Sequence, residues 1–327
     1  MTAAQDLAAG AGPTLRVGVA GAGRIGEVHV RSLAGLAAVG EVVLFDPDPD
    51  RVAALAAAHG AVPVASVDAL FAAGLDALVI ASPAPTHADL LERALAAGLP
   101  TFCEKPVAAD VAETERLAGL ARDSGCPVQV GFHYRFDPAL RALASAAPER
   151  LALRVHSTTE FAPSAEYLAG AGGIVADKLV HELDMVRWMT GSEVAAVAAM
   201  GPGPDPLSAA LVLHLSDGTL ATVWGAYRSA AGFDLVVEAE TPTRVLVVGN
   251  RRQPDEDVAV LAPSTVTDFR DRFAAAYVAE MAAFVDLAVR GGPNPCSLDE
   301  AVRTQRLVSA VQGALARREV VVVEDGR

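Results

Sequence analysis

The sequence predicts two α/β domains, the first built on a doubly wound parallel sheet and the second on an open, mostly antiparallel sheet. Three observations predict this class. Short apolar segments alternate with helical segments from Leu15 to Gly131, strand follows strand after about Arg150, and 327 residues are enough for two domains. We therefore place a flexible tail at 1–13, the first domain at 14–131 and the second at 132–327, whose C-terminal helices could pack back on the first.

In the first half, continuous apolar runs are typical of strands buried on both faces of a parallel sheet. These runs lie at 15–20, 42–45, 78–81, 101–103 and 128–131. Segments with apolar residues at helical spacing separate them, at 25–38, 51–58, 87–97 and 111–124. The regular alternation predicts parallel βαβ units.

In the second half, six β-type segments follow one another, at 151–161, 194–200, 209–215, 219–227, 235–239 and 244–248. Ser216, Asp217 and Gly218 between two of them indicate a hairpin turn. One helix is predicted at 176–190, and two more close the chain at 273–290 and 298–316. This pattern favours an antiparallel sheet with a helical layer.

Charge and cysteine content exclude several functions. The chain carries 26 Lys and Arg against 40 Asp and Glu, a net charge of -14, which disfavours nucleic acid and anionic membranes as partners. No apolar stretch reaches the roughly 20 residues of a membrane span. Cys103, Cys126 and Cys296 lack metal-ligand spacing, so we expect no metal. With no positively charged leader, we expect a cytoplasmic protein.

A glycine loop lies between the first predicted strand and the first predicted helix. Such a loop turns tightly, lets the backbone approach a pyrophosphate and offers helix N-terminal amides to its charge. The sequence there is GAGRIG, and the candidate cofactor-binding residues are Gly21, Gly23, Arg24, Ile25 and Gly26. The alternative is an ordinary glycine turn.

An acid at the end of the second strand strengthens this interpretation. Asp46 follows Gly26 by 20 residues, the distance at which a carboxylate holds the adenosine ribose hydroxyls and repels a 2′-phosphate. NAD is therefore the preferred cofactor. Arg51, slightly further along, leaves NADP possible.

Two later strand ends add candidates at the edge of the sheet where ligands of open α/β folds bind. Ser82, Pro83 and His87 belong to the turn SPAPTH after the fourth strand, and Glu104 and Lys105 follow the fifth. A lysine against an apolar strand end is unusual for structural reasons. The alternative is a surface charge.

A helix in the second half carries the third motif, GGIVADKLVHELD at 172–184. Asp177 and His181 are four residues apart, so one helix face presents both. A carboxylate beside an imidazole can orient the ring and favour its protonated form. An acid in a first helical turn with an unrelated surface histidine is the alternative.

Taken together, GAGRIG, SPAPTH, EKP at 104–106, GFHYRFDP at 131–138 and the helix motif resemble the glucose-fructose oxidoreductase, inositol dehydrogenase and MocA (Gfo/Idh/MocA) family in order and approximate spacing. The resemblance implies a Rossmann domain that binds a nicotinamide dinucleotide and a second domain whose open sheet often forms a homodimer or homotetramer interface. It also implies that Lys105, Asp177 and His181 converge as a catalytic set. The His at 181 favours the inositol dehydrogenase-like branch.

The implied reaction is hydride transfer between the nicotinamide and a ring secondary alcohol of a cyclitol, sugar or sugar derivative. His181 is the natural general base, Asp177 orients it, and Lys105 stabilises alkoxide character, although either His181 or Lys105 could take the proton. A ligand sensor without turnover is the alternative, but it would be expected to lose the Lys or the His. Weaker substrate-contact candidates are Tyr134, Arg135, Glu160 and Tyr167.

Overall fold

The computed structural model describes residues 14–202, 207–229, 233–249, 258–262 and 268–323. The predicted tail at 1–13 lies outside this part. The chain forms two compact units. The first contains the residues up to Gly131 together with Tyr277–Ala301, and the second contains Phe132–Ala276 together with the residues from Val302 onward.

The first unit holds a parallel sheet of six strands in the order β3-β2-β1-β4-β5-β6, which confirms the predicted doubly wound fold. The strands are β1 (Leu15–Ala20), β2 (Val39–Phe45), β3 (Val62–Pro63), β4 (Ala77–Ile80), β5 (Thr101–Cys103) and β6 (Val128–Val130). The helices between them are α1 (Arg24–Ala34), α2 (Pro49–His59), α3 (Val67–Phe71), α4 (His87–Ala96) and α5 (Val111–Ser124). The order of the sheet reverses between β1 and β4, so the loops after these two strands meet at the ligand-binding edge.

Local signals explain most of these bounds. Helix α2 begins at Pro49 because the Asp48 carboxylate accepts hydrogen bonds from the main-chain N–H groups of Asp50 and Arg51. It ends at Gly60, whose φ of 72° is the left-handed cap conformation that glycine adopts readily.

The structure differs from the sequence-based expectation for the first unit in two ways. Helix α1 stops at Ala34 instead of 38, because the chain leaves the helix at Gly35 and enters β2 at Val39. The short elements β3 and α3 were not predicted, since a two-residue strand containing Pro63 and a five-residue helix give almost no periodic signal.

The second unit holds an eight-stranded sheet in the order β13-β12-β11-β7-β10-β9-β8-β14. Its strands are β7 (Ala152–Thr158), β8 (Val194–Met200), β9 (Ser208–Leu215), β10 (Leu220–Ala226), β11 (Asp234–Glu240), β12 (Val245–Val248), β13 (Val258–Ala262) and β14 (Val321–Val322). Pairings β7 with β10 and β12 with β13 are parallel, and the other five are antiparallel, which confirms a mostly antiparallel sheet. The predicted hairpin turn joins β9 to β10, with Gly218 at φ 89°.

The helices of the second half differ from the prediction in two ways. The predicted helix at 176–190 is a π-helical turn, Val175–Leu179, that continues into α8 (Val180–Thr190). The short helices α6 (Pro138–Ala146), α7 (Ala165–Gly170) and α9 (Phe269–Arg272) were not predicted. The closing helices are α10 (Ala274–Arg290) and α11 (Leu298–Arg317). The chain passes from the second unit to the first within α10 and returns to the second within α11.

The strands of the second unit bury one face and leave part of the other open. In β9 and β10, buried and exposed residues alternate, as expected for a sheet covered on one side. Val212, Leu220 and Trp224 lie on the open face and are 48%, 48% and 39% exposed. Within the described residues, no helix has the length and apolar character needed to cross a bilayer.

Candidate active site

The glycine loop of the first unit joins β1 to α1 as predicted. A Cβ at Gly26 would lie 2.1 Å from the carbonyl oxygen of Gly21, and a Cβ at Gly21 would lie 2.5 Å from that of Ala81. These two glycines are therefore required by the fold itself. A Cβ at Gly23 would meet no atom within 4 Å, so this glycine leaves open space at the start of α1.

The start of α1 is suited to an anion. Gly23 is the N-cap residue and offers no side-chain oxygen to the first-turn N–H groups. Arg24 is exposed and Ile25 half-buried in that first turn. Uncapped main-chain N–H groups and the positive end of the helix dipole are what a pyrophosphate requires, so the loop fits a dinucleotide.

Asp46 is fixed beside the loop by its two oxygens. Its Oδ2 accepts a hydrogen bond from the main-chain N–H of Ala22 at 2.7 Å, and its Oδ1 accepts one from that of Asp48 at 2.9 Å. The carboxylate therefore braces the glycine loop and keeps a negative charge there. Arg51 is exposed, and its Nε lies 3.0 Å from Oδ2 of Asp48.

His87 connects the turn after β4 to the segment after β5. The ring is 1% exposed, with Nδ1 2.8 Å from the carbonyl oxygen of Pro106 and Nε2 2.7 Å from that of Ser82. The Ser82 hydroxyl in turn lies 2.6 Å from that of Thr86. Both ring nitrogens thus contact main-chain oxygens, and His87 holds the turn, which leaves Pro83 exposed at its tip.

Glu104 points inward from the end of β5. Its Oε1 lies 2.8 Å from Nε2 of His29, a buried residue of α1, and its Oε2 accepts a hydrogen bond from the main-chain N–H of Lys105 at 3.2 Å. Gly131 gives this carboxylate room, since a Cβ there would lie 2.9 Å from Oε2. Glu104 therefore anchors the backbone of Lys105, whose side chain is half-buried.

A second carboxyl group, that of Glu280, interacts with Glu104 in the first unit. Glu280 is fully buried, and burial together with the charge of Glu104 raises its pKa well above the ordinary value. Burial also raises the pKa of the Cys103 thiol, followed by the effect of Glu104. Glu280 therefore favours its neutral form.

In the second unit, Asp177 and His181 are presented by the π-helical turn and the start of α8. Gly172 and Gly173 precede the turn with φ of 78° and 74°, conformations that suit glycine and that redirect the chain into it. Asp177 and His181 are both half-buried, whereas Lys178 between them is buried. Single π-helical turns occur frequently at functional sites.

Aromatic rings surround His181. Its ring centroid lies 4.7 Å from that of His133, edge-on, and 5.3 Å from that of Tyr134. Phe273 packs at 4.8 Å against both of these rings. Tyr134, a predicted substrate contact, lies beside His181 and is buried, and His133 was not singled out by the sequence.

A buried polar network lies on the other side of the π-helical turn. Lys178 Nζ donates to the Ser157 hydroxyl at 2.6 Å and lies 3.8 Å from Oε1 of Glu182. The same Glu182 oxygen accepts a hydrogen bond from the Tyr134 hydroxyl at 3.4 Å. These contacts connect the turn to β7 and to the segment that carries Tyr134.

The other predicted substrate candidates are Arg135, Glu160 and Tyr167. Arg135 is buried and forms a bidentate ion pair with Asp184, with N–O distances of 2.8 and 2.7 Å, which is a packing arrangement. Glu160 is exposed beyond the end of β7. Tyr167 lies in α7, and its side chain is outside the described part of the chain.

Two residues that the sequence analysis did not select also belong here. His29 of α1 contacts Glu104, and its position three residues after Gly26 was the available signal. Tyr227, directly after β10, donates a hydrogen bond from its hydroxyl to Oδ2 of Asp177. Since 50 residues separate the partners, no local pattern indicates this contact.

The fold and the loop define a dehydrogenase with a Rossmann domain for a nicotinamide dinucleotide. Comparison of the chain with known protein families supports this class. The family described as "Oxidoreductase family, NAD-binding Rossmann fold" matches residues 15–132, and the "GFO/IDH/MocA C-terminal domain" matches 149–253. The chain belongs to the Gfo/Idh/MocA family, in its inositol dehydrogenase-like branch, and is an NAD(P)-dependent dehydrogenase that acts on a CH–OH donor.

Relatives of nearly equal length support the family assignment. Inositol 2-dehydrogenase of Rhizobium meliloti (strain 1021) is 30% identical over 329 residues, covering 95% of this chain and 99% of the relative. Inositol 2-dehydrogenase of Leifsonia xyli subsp. xyli (strain CTCB07) is 37% identical over 300 residues, covering 86% of each. The crystal structure of a myo-inositol dehydrogenase from Corynebacterium glutamicum ATCC 13032 is similar with a TM-score of 0.85 at 29% identity, covering 96% of this chain and 100% of that one.

Proposed function

We propose that the chain is an NAD-dependent dehydrogenase that oxidises a secondary ring alcohol of a cyclitol such as an inositol. The observation that carries the proposal is the presentation of Asp177 and His181, half-buried, on a π-helical turn, in a chain that also keeps Lys105 after β5. Relatives named inositol 2-dehydrogenase that match over nearly their full length support the choice of a cyclitol over a sugar.

The preference for NAD rests on Asp46. Its carboxylate is fixed beside the glycine loop by two main-chain hydrogen bonds, so a negative charge stays where a 2′-phosphate would lie. Arg51, the cation that would favour NADP, is paired with Asp48 instead. The cofactor-binding residues are those of the loop 21–26 and Asp46, with the turn at 82–87 and Glu104 shaping the same edge of the sheet.

The proposed chemistry divides among three side chains. When bound, the nicotinamide supplies the acceptor for the hydride of the carbinol carbon. His181 removes the hydroxyl proton, and the aromatic rings around it hold the imidazole in one orientation. Asp177 supports the positive charge that His181 then acquires, and the Lys105 ammonium stabilises alkoxide character on the reacting oxygen.

A substrate panel tests the proposal. The wild-type protein is mixed with NAD or NADP and with myo-inositol, scyllo-inositol, aldoses and a linear polyol, and reduced cofactor is followed at about 340 nm. We expect kcat/KM for an inositol with NAD to exceed kcat/KM for every other pair of substrate and cofactor by about tenfold or more. An aldose oxidised faster than either inositol would contradict the substrate class, and a faster rate with NADP would contradict the cofactor.

A further inference from the structure

Tyr227 contacts a residue of the proposed reaction but has no role of its own in it so far. It follows β10, is 7% exposed, and donates a hydrogen bond from its hydroxyl to Oδ2 of Asp177. Hydrogen bonds to an ionised carboxylate are about twice as strong as those between neutral groups. The contact therefore constrains the carboxylate that the proposed reaction uses.

The backbone is arranged to bring Tyr227 to this position. A Cβ at Gly225 would lie 2.3 Å from Cδ2 of Leu179, so β10 passes directly against the π-helical turn. Only glycine permits an approach this close without moving Leu179. Since Tyr227 is two residues beyond Gly225 and Asp177 two residues before Leu179, this packing places the two side chains together.

Main-chain contacts hold the segment around Tyr227 on both sides. The N–H of Tyr227 donates to the carbonyl oxygen of Leu207 at 2.8 Å, and that of Ser229 donates to Thr159 at 2.8 Å. Arg228 between them has a φ of 59°, a left-handed conformation uncommon outside glycine. A segment fixed in this way keeps the phenol directed at Asp177.

We infer that Tyr227 is a positioning residue, which acts through Asp177 by holding its carboxylate in one rotamer during catalysis. The inference rests on the proposed function. With Oδ2 occupied by the phenol, the carboxylate cannot rotate freely, and Oδ1 keeps a fixed direction. Loss of the hydroxyl should therefore lower the rate of the chemical step and leave dinucleotide affinity almost unchanged.

A double-mutant cycle tests this inference. Tyr227→Phe removes only the hydroxyl, and it is made in the wild type and in Asp177→Asn, with kcat and KM measured for myo-inositol and NAD and the Kd of NAD measured by fluorescence. We expect Tyr227→Phe to lower kcat about tenfold in the wild type, to change the Kd less than about twofold, and to change kcat less than about twofold in Asp177→Asn.

Thr304→Val is the matched control, because Thr304 is also buried and its hydroxyl also donates to a carboxylate, that of Asp184, at 3.0 Å. It should lower the Tm and leave kcat within about twofold. An unchanged kcat in Tyr227→Phe, or an equal loss in both backgrounds, would overturn the role of Tyr227 while the proposed function stands. A wild type that oxidises no cyclitol would overturn the proposed function, and the role of Tyr227 with it.

Discussion

The carboxylate of Asp46 braces the glycine loop, and we propose that its charge also discriminates between the two cofactors. We predict that Asp46→Ala reduces the preference for NAD over NADP by about tenfold or more, because the repulsion of a 2′-phosphate is lost. Titration of both oxidised cofactors measures the ratio. Asp50→Ala is the control, since it removes a nearby acid from the first turn of α2 but leaves both Asp46 and the pair of Asp48 with Arg51 in place. Equal ratios in wild type and Asp46→Ala would show that another residue sets the preference.

Burial of Glu280 predicts that the protein loses stability as pH rises. Because burial and Glu104 raise its pKa in the folded state, the unfolded chain releases this proton at lower pH than the folded chain does. The free energy of unfolding therefore falls as pH rises above the ordinary value of 4.5, by about 1.4 kcal/mol per pH unit until the folded-state pKa is reached. Glu280→Gln removes this loss.

The measurement is the Tm of Glu280→Gln against wild type between pH 5 and 8. We expect the variant to be the more stable protein at pH 8, by a margin that shrinks toward pH 5. Glu113→Gln is the control, because Glu113 is exposed and the hydrogen bond from Arg116 lowers its pKa, so its loss should give no gain at high pH. A Tm difference for Glu280→Gln that is constant with pH would refute the expectation.

At the scale of single residues, the sequence indicates the residues that belong to ordered motifs. It does not indicate those whose importance depends on tertiary contacts. Gly21, Gly26 and Asp46 have the geometry that their spacing indicates. Tyr227 and Glu280 become relevant only through partners 50 or more residues away in the chain. Their residue types and neighbours carry no local signal.

At the scale of elements, two glycines of the loop between β1 and α1 differ in the space available to a side chain. A Cβ at Gly26 would collide with backbone, whereas one at Gly23 would enter open space. We predict that Gly23→Ala keeps the wild-type Tm within about 2 °C and weakens NAD binding by about tenfold or more, since the pyrophosphate requires that space. Gly26→Ala should lower the Tm as well.

Thermal melts and NAD titration of the two variants separate these effects. Gly119→Ala is the control, because Gly119 lies in the middle of α5 with no atom within 4 Å of an added Cβ and is remote in sequence from the loop. It should keep NAD affinity and raise stability slightly, by about 0.5 to 1 kcal/mol. NAD binding by Gly23→Ala at wild-type strength would contradict the assignment of the loop.

Elements with strong periodicity were predicted well. Strands β1, β5 and β8 and helix α5 have the bounds that the sequence indicates. The π-helical turn was predicted as ordinary α-helix, because a change in hydrogen-bond register leaves the apolar pattern of the segment nearly the same. The parallel pairing of β7 with β10 was not specified, since strand partners far apart in sequence are set by the packing of the whole sheet.

At the scale of the whole molecule, the open face of the second-unit sheet predicts self-association. Val212, Leu220 and Trp224 lie on adjacent strands and expose apolar surface that a second copy would bury. We predict a homodimer or homotetramer, measured by light scattering at micromolar concentration. Trp224→Glu should shift the mass toward the 33.6 kDa monomer. Leu120→Glu, at an exposed apolar position on α5, should not. A monomeric wild type would contradict this expectation.

We propose that oxidation of the cyclitol carbinol requires both Lys105 and His181. The most direct test is the kcat for myo-inositol with NAD in wild type, Lys105→Ala and His181→Ala, with the Kd of NAD measured in parallel. We expect an active wild type, a loss of about 100-fold or more in kcat for each variant, and a Kd within a few-fold of wild type. Turnover by both variants at near-wild-type rates would contradict it.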